Sequence, residues 1–166
     1  MRALDGKVIL VTGATGNLGG AVAKGALSAG ARVALAGRSM ESLERAFADS
    51  DTVGLIPNVD LTDAVSTREY VDQAIMRFGR VDGLISTVGG FAFANMADDS
   101  YETWERMIVM NVRSAFQISQ AALPVMKRQG AGAIVLTGAT AALKAPGGLS
   151  AYAASKSAVM RLTESL

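Results

Sequence analysis

Five short apolar runs, each followed by a longer stretch with apolar residues at helical spacing, restrict the folds open to this sequence. The runs are Lys7 to Thr12, Arg32 to Ala36, Val53 to Ile56, Asp82 to Ser86 and Ala133 to Thr137. Their apolar character is nearly continuous rather than alternating, as in strands covered on both faces. Helical patterns follow at Leu18 to Ala29, Met40 to Ala48, Asp63 to Phe78, Tyr101 to Arg128 and Ala151 to Leu166. Such β-α-β-α repetition builds parallel strands with right-handed crossovers. The expected fold is α/β: one domain over residues 1–166, a doubly wound parallel sheet of about five strands in three layers, α/β/α.

Local signals agree with this division. Ser39, Thr62 and Ser100 stand where caps for the second, third and fourth helices are expected, and Gly30, Gly79 and Gly130 follow helix ends. Pro124 predicts a kink or break inside the long fourth helix. The last helix is still at helical period when the sequence stops at Leu166.

Composition removes whole classes of chemistry. The chain has no Cys and no His, so thiolate zinc sites, cysteine nucleophiles and histidine-based triads are excluded, and proton transfer falls to Tyr, Lys or carboxylates. Sixteen Lys and Arg nearly cancel fifteen Asp and Glu, which leaves no basic footprint for nucleic acid or an anionic membrane. No apolar run reaches membrane-spanning length, and the N-terminus lacks a signal-peptide pattern, so a soluble, cytoplasmic protein is expected.

Two motifs carry chemistry at the ends of strands. Thr12-Gly13-Ala14-Thr15-Gly16-Asn17-Leu18-Gly19 joins the first strand to the first helix. Its glycine spacing suits a tight turn, a close approach of backbone to a pyrophosphate and close packing of helix on strand, with phosphate received by the free N–H groups of the helix. Tyr152-Ala153-Ala154-Ser155-Lys156 opens the last helix, placing a phenol and an ammonium one turn apart on one face. A cation near a phenol favours its ionised form, which suits proton transfer.

Further positions lie at the same sheet edge. After the second strand, Leu35-Ala36-Gly37-Arg38-Ser39 offers no carboxylate for a ribose 2′-hydroxyl. Arg38, with Ser39 as a further donor, points to the 2′-phosphate of NADP, with NAD as the alternative. Asp60, followed by Leu61, closes the third strand where it could accept from an adenine amine; a solvated or capping role is the alternative. Val88 and Gly89, in Thr87-Val88-Gly89-Gly90 after the fourth strand, let backbone pass close to a cofactor or simply make a tight turn.

Taken in order, the glycine loop, Asp60, the turn after the fourth strand, Asn111 and Tyr152-x-x-x-Lys156 resemble the short-chain dehydrogenase/reductase family from about Lys7 to Leu166. The resemblance implies a Rossmann-type, NAD(P)-dependent oxidoreductase that passes hydride between nicotinamide and a small carbonyl, alcohol or imine-like substrate. It implies Tyr152 as proton donor or acceptor, Lys156 as holder of the nicotinamide ribose and partner of the phenol, and Asn111 as support for a proton relay. Gly13, Thr15, Gly16, Asn17, Leu18 and Gly19 would serve the phosphates. It also implies a homo-oligomer, a dimer or tetramer, paired through the fourth and last helices.

Departures from the family pattern are equally legible. Asn17 stands where the common middle glycine falls, and Ser86-Thr87-Val88-Gly89 replaces the usual Asn-Asn-Ala-Gly. The family's substrate-polarising Ser, thirteen positions before the Tyr, is Ala139; Thr140 and Thr137 are candidate replacements. The segment Leu136 to Leu143 with Tyr152 and Lys156 is similar to the dihydropteridine reductases, which also lack that Ser but carry an acid where this chain has Gly37-Arg38. The resemblance further implies that the rest of the last helix, two more strands and a substrate-covering lobe belong after Leu166. A non-catalytic dinucleotide-binding or interaction module is the alternative reading.

Overall fold

The computed structural model describes residues 2–166. Among these, five strands form one parallel sheet: β1 (Val8–Thr12), β2 (Arg32–Ala36), β3 (Val53–Ile56), β4 (Gly83–Ser86) and β5 (Ala133–Leu136). Their order is β3-β2-β1-β4-β5. The chain winds from β1 to one edge and then crosses back to build the other side, so the reversal between β1 and β4 opens a crevice at the carboxyl ends of the strands. Thr12 is level with Ala36 of β2 and Ser86 of β4. A buried hydrogen bond of 2.9 Å from the Thr12 hydroxyl to that of Ser86 joins β1 to β4 at this end.

The helices are α1 (Asn17–Ser28), α2 (Met40–Glu44), α3 (Ala64–Phe78), α4 (Tyr101–Met107), α5 (Ser114–Gln129) and α6 (Ser150–Glu164). Strand β1 shows why the apolar runs are continuous. Val8 and Leu10 enter a core with Tyr70 and Ala74 of α3 and Ile118 of α5, while Ile9 and Val11 meet Ala23 of α1 and Leu43 of α2. Alternate residues of one strand thus serve two cores. The buried Tyr70 hydroxyl donates to the Ala34 carbonyl at 2.8 Å and ties α3 to β2.

The stretch from Tyr101 to Arg128 is not one helix. It comprises α4, a π-helical segment Ile108–Arg113, and α5. No break falls at Pro124, through which α5 continues; Gln120, four residues back and next to the lost hydrogen bond, is exposed. The widening at 108–113 is plain where it meets α5. The Ser114 N–H reaches back five residues to the Val109 carbonyl, while the Ser114 hydroxyl donates at 2.6 Å to the Met110 carbonyl that an α-helix would have offered that N–H.

Smaller corrections have equally local causes. Asp63, not Thr62, caps α3 by accepting from the Ser66 N–H at 2.7 Å, because Thr62 is drawn to Asp60. Helix α2 ends at Glu44 rather than Ala48, where the N–H groups of Ala46 and Phe47 both turn back to the Leu43 carbonyl. Strand β5 is not covered on both faces: it lies at the sheet edge, Val135 is 54% exposed, and Ile134 alone of its residues packs against a core. A short 3₁₀ turn, Thr140–Ala142, follows it.

Candidate active site

A cleft of about 650 Å3 occupies the crevice at the strand ends, within the range of small-molecule and cofactor sites. Its walls are the turns that follow four strands: Gly13, Thr15 and Gly16 after β1, Ala36 to Arg38 after β2, Asn58 to Thr62 after β3, and Thr87 to Gly89 after β4. The glycine loop is packed tightly under α1, since a β-carbon on Gly19 would collide with the Gly13 carbonyl. Gly16 precedes α1 and supplies no side-chain cap, leaving the first N–H groups of that helix unspent at the cleft.

The expected cleft residues divide into two groups. Gly13, Thr15, Gly16, Arg38, Asp60, Leu61, Val88 and Gly89 all line it. Asn17, Leu18 and Gly19 form the first turn of α1 outside the lining, and Ser39 is outside it too, with its hydroxyl accepting from the Ser42 N–H to cap α2. The Asp60 carboxylate accepts from the Thr62 hydroxyl at 2.7 Å and the Thr62 N–H at 2.8 Å. Those two donors, the hydroxyl foremost, hold Asp60 below the usual carboxylate range.

Residues that the motif reading did not single out complete the cleft. Asn58 adopts a left-handed backbone, φ 61°, which Asn tolerates better than most residues; the Pro57-Asn58 dipeptide was the available turn signal. Met110 of the π-helical segment and Ser114, the first residue of α5, also line the cleft. The one sequence signal near them was Asn111, and like Ser114 it is buried.

A second cavity of about 430 Å3 holds Tyr152 with Phe91, Ala139, Thr140, Lys144, Pro146 and Leu149 among its walls. The Phe91 and Tyr152 rings meet edge to face, with centroids 4.9 Å apart and planes at 68°. Lys156 is buried, and its Nζ donates to the Thr137 carbonyl at 2.8 Å; burial pushes its pKa down. Thr140 lines this cavity, whereas the Thr137 hydroxyl is committed to the Ser86 carbonyl at 2.9 Å. The segment after β4 separates the two cavities, Thr87 to Gly89 facing one and Phe91 the other.

Asn111 is also buried and brought to this partition. Its Oδ1 accepts from the Gly90 N–H at 2.8 Å, and its Nδ2 donates to the Gly90 carbonyl at 3.1 Å and to the Ser155 hydroxyl at 2.9 Å. Among the described residues no group of His, Cys, Asp and Glu could hold a metal ion, and no helix is long and apolar enough to cross a membrane.

A family model described as short chain dehydrogenase matches residues 7–166. The chain belongs to the short-chain dehydrogenase/reductase family. It is 28% identical to the dehydrogenase/reductase SDR family member 4 of Caenorhabditis elegans, covering 99% of this chain and 65% of that protein. It is 31% identical to an uncharacterized oxidoreductase of Staphylococcus haemolyticus, covering 100% and 72% respectively. Among solved structures, NAD+-bound xylitol dehydrogenase superposes with a TM-score of 0.93 at 34% identity, over 99% of this chain and 65% of that one. A short chain dehydrogenase from Bacillus anthracis gives 0.90 at 28% identity, over 99% and 68%. The chain therefore spans about two thirds of the length of these family members.

Membership in the short-chain dehydrogenase/reductase family accounts for the Rossmann-type strand order and the cleft over the glycine loop. Ala139, at the position of the family's Ser, presents only a methyl group to the cavity that holds Tyr152.

Proposed function

We propose that this chain forms the dinucleotide-binding and proton-transferring part of an NADP-preferring oxidoreductase acting on a small carbonyl or imine-like substrate. One observation carries this reading: Tyr152 and the buried Lys156, on α6, adjoin a cleft walled by the glycine loop, with only the segment after β4 between the two cavities. The residues present fit a dinucleotide. The uncapped start of α1 would take the pyrophosphate, Arg38 the 2′-phosphate, the ionised Asp60 the adenine amine, and Lys156 the nicotinamide ribose. Arg38 favours NADP because no carboxylate stands between Leu35 and Ser39, while the NAD+-bound neighbour keeps NAD as the alternative. When bound, the nicotinamide supplies or accepts the hydride. Tyr152 then gives a proton to, or takes one from, the substrate oxygen or nitrogen, in a cavity walled in part by Phe91, Leu149 and Pro146.

Thr140 is the hydroxyl suited to polarise the substrate in place of Ala139, since it lines the cavity of Tyr152. The exposed Tyr101, Trp104 and Phe116 on α4 and α5 support homo-oligomeric pairing through this side. The deciding experiment is NADPH fluorescence titration followed by turnover on a panel of carbonyls and imines. Binding with turnover supports the reading; binding without turnover across the panel assigns a dinucleotide-binding module instead.

A further inference from the structure

The Tyr152 phenol is the proton donor in the function proposed above, and its side chain makes no recorded hydrogen bond that would hold it. What holds it is a closed circuit of contacts running through three residues outside the Tyr-Lys pair and the Asn: Ser155, Gly90 and Phe91. The fully buried Ser155 hydroxyl donates to the Tyr152 carbonyl at 2.7 Å and accepts from Asn111 Nδ2 at 2.9 Å. The Asn111 amide also exchanges one bond in each direction with Gly90, and its Nδ2 lies 3.8 Å from Met107 Sδ. Gly90 is followed by Phe91, whose ring returns to the Tyr152 ring at 4.9 Å. Each link is a buried or part-buried hydrogen bond, an adjacent peptide or an aromatic edge contact, and the circuit closes on the residue where it began. A connected hydrogen-bond network shielded in part from water narrows the arrangements open to the groups at its ends. We infer that Ser155 and Phe91 are positioning residues for Tyr152, coupled to each other through Asn111 and Gly90.

This inference rests on the proposed role of Tyr152 for its kinetic consequence but not for its spectroscopic one. The chain has three Tyr, so ring-labelled tyrosine gives few NMR signals, and Tyr152→Phe assigns the one of interest. The Phe91 ring shifts the Tyr152 resonance; Phe91→Leu, at an exposed position, sets the value for a lost contact, and Phe91→Tyr should keep the native value. Ser155→Ala should move the Tyr152 resonance most of the way to the Phe91→Leu value, although Ser155 does not touch the Phe91 ring. If Ser155→Ala does not fold, Ser155→Cys keeps the volume and weakens the hydrogen bonds. Both single variants should lower kcat about ten- to hundredfold with cofactor KM within about twofold, and the double variant should be no worse than either. A native Tyr152 resonance in the folded Ser155 variant overturns the inference, as do multiplying kcat losses in the double variant or a kcat that both variants leave unchanged. An inactive native protein defeats the proposed function alone, and the resonance of the Ser155 variant then decides the coupling by itself.

Discussion

Lys156 Nζ donates to the carbonyl of Thr137 at 2.8 Å, so the ammonium one turn beyond Tyr152 is anchored to the chain just past β5. Anchoring a long side chain in advance spares the entropy of ordering it during a reaction. Tyr152→Phe should therefore cut turnover by about 10²-fold or more, the scale of a lost general acid, while NADPH affinity stays near native. Lys156→Met should lose turnover on the same scale and weaken NADPH binding as well. Fluorescence titration beside initial rates separates the two, and equal binding losses in both variants would contradict the assigned roles.

Arg38 lines the cleft, and the proposed function gives it the choice of dinucleotide. Replacing it with Ala should weaken NADPH binding by about tenfold, the worth of a charge-assisted hydrogen bond, and leave NADH binding nearly unchanged. Parallel titrations with both nucleotides provide the check. Equal losses for the two would remove Arg38 from the 2′-phosphate.

The two threonines near Ala139 should separate cleanly. Thr140→Val should lower kcat with little change in stability, because its hydroxyl lines the cavity and makes no recorded bond within the protein. Thr137→Val should instead cost about 1 kcal/mol of stability through the loss of its 2.9 Å bond to Ser86. Urea denaturation and steady-state rates on both variants test this, and reversed phenotypes would exchange their roles.

Asp82, just ahead of β4, gives a pH-dependent stability. Burial works against its charge, but the Arg80 guanidinium, the Val8 N–H and Lys7 outweigh it and hold the carboxyl below its ordinary value. A depressed carboxylate stabilises the fold in full above the unfolded value of about 3.9, and that stabilisation is lost as pH falls through the lower folded value. Asp82→Asn should cost about 1–3 kcal/mol near neutral pH, with the gap to the native protein closing at acid pH. A gap that does not change in urea melts between about pH 7 and pH 3 would count against it.

Strand positions were legible because a strand buried on both faces writes itself as an unbroken apolar run. The Val53–Ile56 strand emerged with its expected ends. The same run does not by itself mark β5 as an edge; that expectation came from the resemblance, which sets the neighbouring strands after Leu166, and Val135 is exposed accordingly. The glycine loop was readable from spacing, but the place of Leu18 outside the cleft lining and the capping role of Ser39 depend on local backbone direction. The Asn111–Ser155 bond joins residues 44 apart, and no periodicity within either helix could have announced it. Ser114 was the most instructive omission: its N–H bonds to the Val109 carbonyl rather than that of Met110, so the turn before it is wide.

That wide turn also sets a rule for inserting or deleting residues. Each residue of an α-helix advances its faces by about 100°, so a wide turn at 108–113 acts as a phase offset between α4 and α5. Deleting a single residue there to restore regular winding would rotate one helix against the other by about that angle. Trp104 and Met107 would then swing relative to Ile118 and Ala122, and the chain could keep its contacts on one side of the offset only by surrendering them on the other.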